Sequence, residues 1–229
     1  MNKAQKQIVD LPFSQKYDRQ HAEAYQAKHQ DGLVRRLSNW REIQVARKAL
    51  QLADQPGIVL DLPCGAGRFW PMLKEKKSRV VIAADYSAAM LDVAREANPW
   101  YSEQNISCLE TSVFAINLPG SAVDSILCMR LLHHIESAED RVAMLRELHR
   151  VTRDTVIISM WVDGNYKSWR RAKMEKRREL KGKKSSQNRF VVSRARIERE
   201  FTNVGFDIVA HLDFLPLYQM WSTYILRKR

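Results

Sequence analysis

The chain has 229 residues, 45% apolar and 28% charged, a globular composition that excludes a wholly disordered protein. Its longest apolar runs, around 80–84 and 156–162, fall far short of the roughly 20 residues of a membrane-spanning helix. Residues 1–10 are polar where a secretory signal has an apolar core, so a cytoplasmic protein without a membrane span is expected. The net charge of +12 favours anionic partners, and it is concentrated. Eleven Lys or Arg stand against two Glu between Lys167 and Arg189, a net +9 that leaves only +3 for the rest of the chain. Cys64, Cys108 and Cys128 are odd in number and form no C-x-x-C pair, which points to buried reduced thiols and to no disulfide framework or metal cage.

Apolar residues at Leu33, Leu37, Trp40, Ile43, Ala46, Leu50 and Ala53 recur in steps of three or four and predict an amphipathic helix that stops before Pro56 and Gly57. The run 58–62, with Asp61 near its end, reads as a buried parallel strand leading into a Gly-rich turn. A second buried strand is expected at 79–84, followed by a helix capped by Ser87 that carries Met90, Leu91 and Ala94 inward. A weaker strand at 106–109 and a stronger one at 123–129 come next. Ser137 and Asp140 form a capping box that opens a helix through Val142, Leu145 and Leu148, and 155–160 is a fifth strand. Strands alternating with helices predict an α/β fold, a mostly parallel sheet covered on both faces, because parallel strands need long crossovers.

The last third breaks this rhythm. After a basic insert at 163–192, a helix is expected from Ser193, with Ile197, Phe201 and Val204 inward and Gly205 as its stop. Strands at 206–212 and 222–226 follow, joined by an aromatic loop containing Pro216, Tyr218 and Trp221. That loop is too short for a crossover helix, so the two strands are read as antiparallel neighbours.

The stretch Val59-Leu60-Asp61-Leu62-Pro63-Cys64-Gly65-Ala66-Gly67-Arg68 carries most of the chemical information. Gly65 and Gly67 let the backbone approach a ligand at the carboxyl end of the first strand, where open α/β sheets bind nucleotides. Asp85 ends the second strand 18 residues after Gly67, placed to accept hydrogen bonds from ribose hydroxyls. A dinucleotide-binding fingerprint needs a third glycine three residues after the second, and Trp70 stands there, which disfavours a nicotinamide cofactor.

These residues resemble the class I S-adenosylmethionine-dependent methyltransferases, the broad group of small-molecule and some tRNA methylating enzymes. LDLPCGAGR is similar to the family's first motif, DYSAAMLDVA to its second, and VDSILCMRLLHHI followed by ELHRV to its later strand and helix. The similarity spans about 57–160. It implies a Rossmann-like fold, a seven-stranded mostly parallel sheet with an antiparallel last strand and helices on both faces, within a single domain over 1–229. In that domain 1–32 is an N-terminal cap, 57–160 the cofactor-binding core, 163–192 the basic insert and 193–229 a C-terminal helix with antiparallel strands. The implied cofactor is S-adenosyl-L-methionine, its methionine part surrounded by Asp61, Gly65 and Gly67 and its ribose held by Asp85. Pro63, Cys64, Tyr86, Ser112, Val113, Phe114 and Met129 complete the implied site. Pro63 replaces the family's first glycine and removes a backbone donor, though the turn is expected to survive. No acidic residue stands at Thr111-Ser112-Val113-Phe114 to receive the adenine amino group; Ser112 and the backbone around Val113 are the expected substitutes, with Phe114 against the ring. A Pro-Gly-Gly turn before the fifth strand is reduced to Arg153-Asp154.

Methyl transfer is an in-line displacement that gains rate from alignment and exclusion of water, with or without a general base. Arg130, His133 and His134, after the fourth strand, are the catalytic candidates; the blander readings are a salt bridge for Arg130 and packing or helix initiation for the histidines. Tyr17, His21 and Tyr25 offer either a cap over the cofactor or a surface helix. Tyr218 and Trp221 offer either an acceptor pocket or ordinary core. The insert at 167–189 suits an anionic acceptor, whether RNA, a phosphorylated glycan, a lipid headgroup or a small molecule, or else is a solvated charge run. Some tRNA methyltransferases carry a comparable basic stretch. Its aromatic residues, Tyr166, Trp169 and Phe190, are too few to predict a stacking platform for single strands. The expected function is methyl transfer to an anionic acceptor, and the alternative is a nucleic-acid-binding protein that keeps the fold without the catalysis.

Overall fold

The computed structural model describes residues 32–182 and 188–229. Tyr17, His21 and Tyr25 of the expected cap, and Lys183 and Lys184 of the insert, lie outside the described residues. Seven strands form one sheet in the order β3-β2-β1-β4-β5-β7-β6. Strands β1 (Ile58–Asp61), β2 (Val80–Asp85), β3 (Ile106–Glu110), β4 (Val123–Cys128) and β5 (Thr152–Trp161) run parallel. The hairpin of β6 (Phe206–Asp213) and β7 (Trp221–Lys228) turns back so that β7 lies antiparallel between β5 and β6.

Period-two alternation divides the core into two layers. Leu60, Ile126 and Ile158 pack on one face with Leu145 and Leu148 of α4 (Ala138–Val151) and Ile197 and Phe201 of α6 (Arg194–Val204). Their strand neighbours Val59, Leu127 and Ile157 pack on the other, with Ala46 and Leu50 of α1 (Leu33–Leu52) and Leu91 of α3 (Ala88–Ala97). Strand order reverses between β1 and β4, which leaves a crevice at the carboxyl ends of β1, β2 and β4.

Local signals behave as their chemistry requires. Ser87 caps α3 by accepting from the Met90 N–H, and Ser137 caps α4 by accepting from the Asp140 N–H. Gly205 ends α6 at φ 107°. Three expectations need correction. The apolar stripe of α1 is buried only in its second half; Leu33, Leu37 and Trp40 are exposed because packing on the sheet begins near Glu42. Arg153 and Asp154 are not a turn before the fifth strand but lie inside β5, where the pairing with β4 shifts register. The basic insert is not a plain charge run but forms its own helix α5 (Tyr166–Glu179), opened by a reciprocal capping box between Asn165 and Ser168, whereas the short helix α2 (Trp70–Leu73) belongs to the turn region after β1. The thiols are free, Cys64 and Cys128 buried and Cys108 half-buried. No helix among the described residues is long and apolar enough to cross a membrane.

Candidate active site

The turn after β1 is bonded to both neighbouring strands. Leu62 N–H donates to Leu127 O at 3.0 Å and Cys64 N–H to Ala84 O at 2.8 Å, so the bend closes on either side of Pro63 without needing its missing donor. Gly65 (φ 53°) and Gly67 (φ 70°) adopt left-handed conformations that favour glycine. Gly65 N–H donates to Asp85 Oδ2 at 2.9 Å and Ser87 N–H to Asp85 Oδ1 at 3.1 Å, which fixes the carboxylate at the end of β2. Burial pushes the Asp85 carboxyl above its ordinary value, while the N–H groups of Ser87, Gly65 and Tyr86 pull it back.

Asp61 lies behind the same turn. It is fully buried, and neither carboxylate oxygen has a hydrogen-bond partner. Burial holds its carboxyl well above the usual range; Arg68 opposes the shift, Asp85 adds to it, and the Trp70 indole acts weakly from outside hydrogen-bond geometry. A Cβ on Gly67 would stand 2.7 Å from Asn98 Nδ2 and 2.9 Å from Trp70 Cδ2, so this glycine serves the packing of Trp70 beneath the turn.

A cavity of about 1030 Å³, counted out to its open mouth, occupies the crevice. Pro63, Cys64, Gly65, Asp85, Tyr86, Ser112, Val113, Phe114, Met129, Arg130 and His134 share its wall. Asp61, Gly67 and His133, also read from the sequence, do not line it, nor do Tyr218 and Trp221. Burial pushes the Cys64 thiol well up, so that side chain contributes bulk rather than a thiolate. The Ser112 hydroxyl accepts from Phe114 N–H at 3.2 Å, and Thr111 Oγ1 accepts from Asn117 N–H at 2.9 Å; both shape the loop after β3.

Arg68, Phe69, Met90, Thr111 and Leu131 also line the cavity. The buried Glu42 of α1 joins Arg68 to Arg130: Arg68 Nη1 reaches Glu42 Oε2 at 2.7 Å, Arg130 Nε reaches Oε1 at 2.8 Å, and Arg130 Nη2 reaches Oε2 at 2.6 Å. Burial pushes the Glu42 carboxyl up, but the charges and hydrogen bonds of Arg68 and Arg130 outweigh it and hold it below its ordinary value. Arg130 has φ 61°, its N–H donates to Ser159 Oγ at 2.7 Å, and its guanidinium lies 5.5 Å from the Trp221 ring. Arg130 makes the salt bridge of the blander reading, to the buried Glu42, and it also lines the cavity. One carboxylate between two guanidiniums leaves that wall positive.

His133 is buried among Trp161, Trp221 and His134, ring centroids 4.9, 4.7 and 4.1 Å away. Its pKa is pushed down to about 2 by burial and then by the surrounding cations, so it is neutral. His134 Nδ1–H donates to Asn188 O at 2.5 Å, which fixes the tautomer and makes Nε2 the acceptor nitrogen. Its pKa is also lowered, by burial first. Phe190 N–H donates to His133 O at 2.7 Å. The returning limb of the basic insert is thus bonded directly to the histidine turn that walls the cavity.

Residues 59–155 match a family model described as a methyltransferase domain. An uncharacterised methyltransferase-like protein of Schizosaccharomyces pombe is 33% identical over 100 residues, 44% of this chain and 36% of that protein. The tRNA (carboxymethyluridine(34)-5-O)-methyltransferase ALKBH8 of Mus musculus is 29% identical over 155 residues, 66% of this chain and 20% of that protein. The chain therefore spans about a third or less of the length of these curated relatives. Among solved structures, magnesium protoporphyrin IX methyltransferase from Synechocystis PCC 6803 with bound SAH has a TM-score of 0.75 at 15% identity, covering 95% of this chain and 98% of that one. A SAM-dependent methyltransferase from Aquifex aeolicus has a TM-score of 0.63 at 17% identity, covering 93% and 100%.

At such identities the structural likeness speaks for the fold, a Rossmann-like methyltransferase architecture. The methyltransferase-domain match covers residues 59–155, and the first and second motifs that resemble the class I S-adenosylmethionine-dependent methyltransferases stand on the turn after β1 and at the end of β2 within it.

Proposed function

We propose that this protein, working as a single domain, transfers a methyl group from S-adenosyl-L-methionine to an oxygen of an anionic acceptor carried on tRNA. The residues around the turn fit the donor. Asp85 has both oxygens oriented by backbone N–H groups at the cavity wall, with acceptor capacity left for ribose hydroxyls. Asp61 is an orphaned buried carboxylate behind the turn, a demand that a cationic ligand on the other side lessens. Gly65, Tyr86, Val113, Phe114 and Met129 supply close backbone approach and apolar walls. When bound, S-adenosylmethionine supplies a methyl group on positively charged sulfur.

The acceptor reading starts from the positive wall of Arg68 and Arg130, which suits a carboxylate. A carboxylate oxygen arrives without a proton, so alignment and exclusion of water are what the chain must provide, and neutral His134 shapes the wall rather than removing a proton. The relatives named as tRNA carboxymethyluridine O-methyltransferases support the same chemistry. The observation that carries the tRNA reading is the pair of hydrogen bonds that tie the insert's return limb to the histidine turn, Phe190 N–H to His133 O and His134 Nδ1–H to Asn188 O, because they join the segment that follows α5 to the cavity wall. We place the protein in the cytoplasm, where free thiols such as Cys64 and Cys128 stay reduced.

The test is incubation of the purified protein with bulk tRNA and methyl-labelled donor. Label is expected in tRNA, released by mild alkali as an ester would be. Asp85→Ala is expected to abolish donor binding in calorimetry and, with it, labelling. Salt-sensitive tRNA binding without any donor affinity in the parent protein would instead identify a binding protein that lacks catalysis.

A further inference from the structure

The structure gathers aromatic rings that the sequence scatters. Tyr166 and Trp169 lie one turn apart on α5, and Tyr218 comes from the loop between β6 and β7, 52 residues further on. Tyr166 stacks on Tyr218 with centroids 5.7 Å apart and planes 10° from parallel, and Trp169 lies 6.0 Å from Tyr166. All three rings are about half exposed (47%, 58% and 48% for Tyr166, Trp169 and Tyr218), although burial of such rings is worth more than that of most side chains. Lys167 Nζ is 5.3 Å from the Tyr218 ring and Lys173 Nζ 5.1 Å from the Trp169 ring. Two backbone bonds, Tyr166 N–H to Leu217 O at 2.8 Å and Lys167 N–H to Tyr218 O at 3.1 Å, lock the helix start against the loop.

We propose that Tyr166, Trp169 and Tyr218 form a stacking ledge for unpaired bases of single-stranded RNA, with the basic face of α5 carrying the adjoining phosphates. Charge complementarity selects this occupant. Of the residues of α5 only Ser168 is buried, and Arg170, Lys173, Lys176, Arg177 and Arg178 face solvent beside the rings. Cations over aromatic faces, next to a phosphate-binding stripe, are the two elements from which single-strand sites are built. The ledge also stands at the right edge of the sheet. Trp161 at the end of β5 pairs with Trp221 at the start of β7, and Trp221 packs against His133 and beneath Arg130 of the cavity. Bases on the ledge therefore flank the nucleotide whose substituent enters the cavity.

This inference rests on the polynucleotide reading of the acceptor, and the test separates the two. The full chain is titrated with a labelled RNA stem-loop carrying seven unpaired bases and with a fully paired duplex of equal phosphate number, over a range of salt. The parent protein is expected to prefer the stem-loop. Trp169→Ala combined with Tyr218→Ala is expected to lose roughly ten-fold in stem-loop affinity, with duplex affinity and salt dependence unchanged. Trp169→Phe with Tyr218→Phe restores most of the loss. Arg177→Ala with Arg178→Ala weakens both RNAs and flattens the salt dependence. Equal stem-loop binding by the parent and the double alanine variant overturns the ledge and leaves a polynucleotide acceptor standing. No salt-sensitive RNA binding by the parent overturns both. Unchanged donor affinity in calorimetry verifies that each variant is folded.

Discussion

Gly67 is constrained twice, by its φ of 70° and by the absence of room for a Cβ between Asn98 and Trp70. Gly67→Ala is expected to destabilise the fold by about 2–4 kcal/mol, combining left-handed backbone strain with overpacking. It should also weaken donor binding, because Trp70 must shift beneath the turn. Urea titration and calorimetry check both, and a variant as stable as the parent would mean that Asn98 yields its place without cost. Residues of this kind are legible in a sequence, since Asp61, Gly65, Gly67 and Asp85 act through a turn and the adjoining strand end. The Glu42 bridge is not legible. Glu42 is 26 residues from Arg68 and 88 from Arg130, and on its own helix it is one polar residue within an apolar repeat. Only the docking of α1 on the sheet turns it into the partner of both arginines.

At the scale of elements, helices α4 and α6 are joined across the core by a buried pair. Arg141 Nε and Nη2 donate to Glu200 Oε2 and Oε1 at 2.8 and 2.6 Å, and Arg141 Nη1 also donates to the carbonyls of Ile135 and Glu136 at 3.2 and 2.6 Å. Glu200→Ala leaves a guanidinium buried without its carboxylate and is expected to cost about 3–5 kcal/mol. Arg141→Met with Glu200→Leu should regain most of that loss in thermal unfolding; a single variant as stable as the parent would show that water reaches Arg141. The apolar periods of both helices were readable because Leu145, Leu148, Ile197 and Phe201 face one layer of core. Helix α5 was not, because its periodic residues are charged and its fixed point is the capping box at Asn165 and Ser168. The stacking of Tyr166 on Tyr218 escaped for a related reason, since it depends on how a loop of the C-terminal hairpin returns to the end of β5.

Over the whole molecule, the stretch Lys167 to Arg189 holds +9 of the +12 net charge, so the rest of the chain carries only +3. Burial first, and then the charges of His134, Arg189, Arg130 and Arg171, govern His133. Its folded pKa of about 2 lies below the ordinary 6.5, so the folded protein keeps it neutral while the unfolded chain takes up a proton below pH 6.5. Stability from this group is therefore complete above pH 6.5 and declines as pH falls, by up to about 1.4 kcal/mol per pH unit. His134 and His149, also lowered by burial, act in the same direction. Asp61 and Asp85 act oppositely: their raised folded pKa values make the folded state bind protons more readily, so they add stability as pH falls through those values. The His133 contribution is isolated by comparing the parent with His133→Gln, which retains all the other groups. Between pH 7 and pH 5 the stability advantage of the parent over the variant, from urea titration, is expected to shrink by about 2 kcal/mol. A constant difference would mean that His133 takes up its proton in the folded protein as readily as in the unfolded chain, so that its burial among the tryptophans does not lower its pKa.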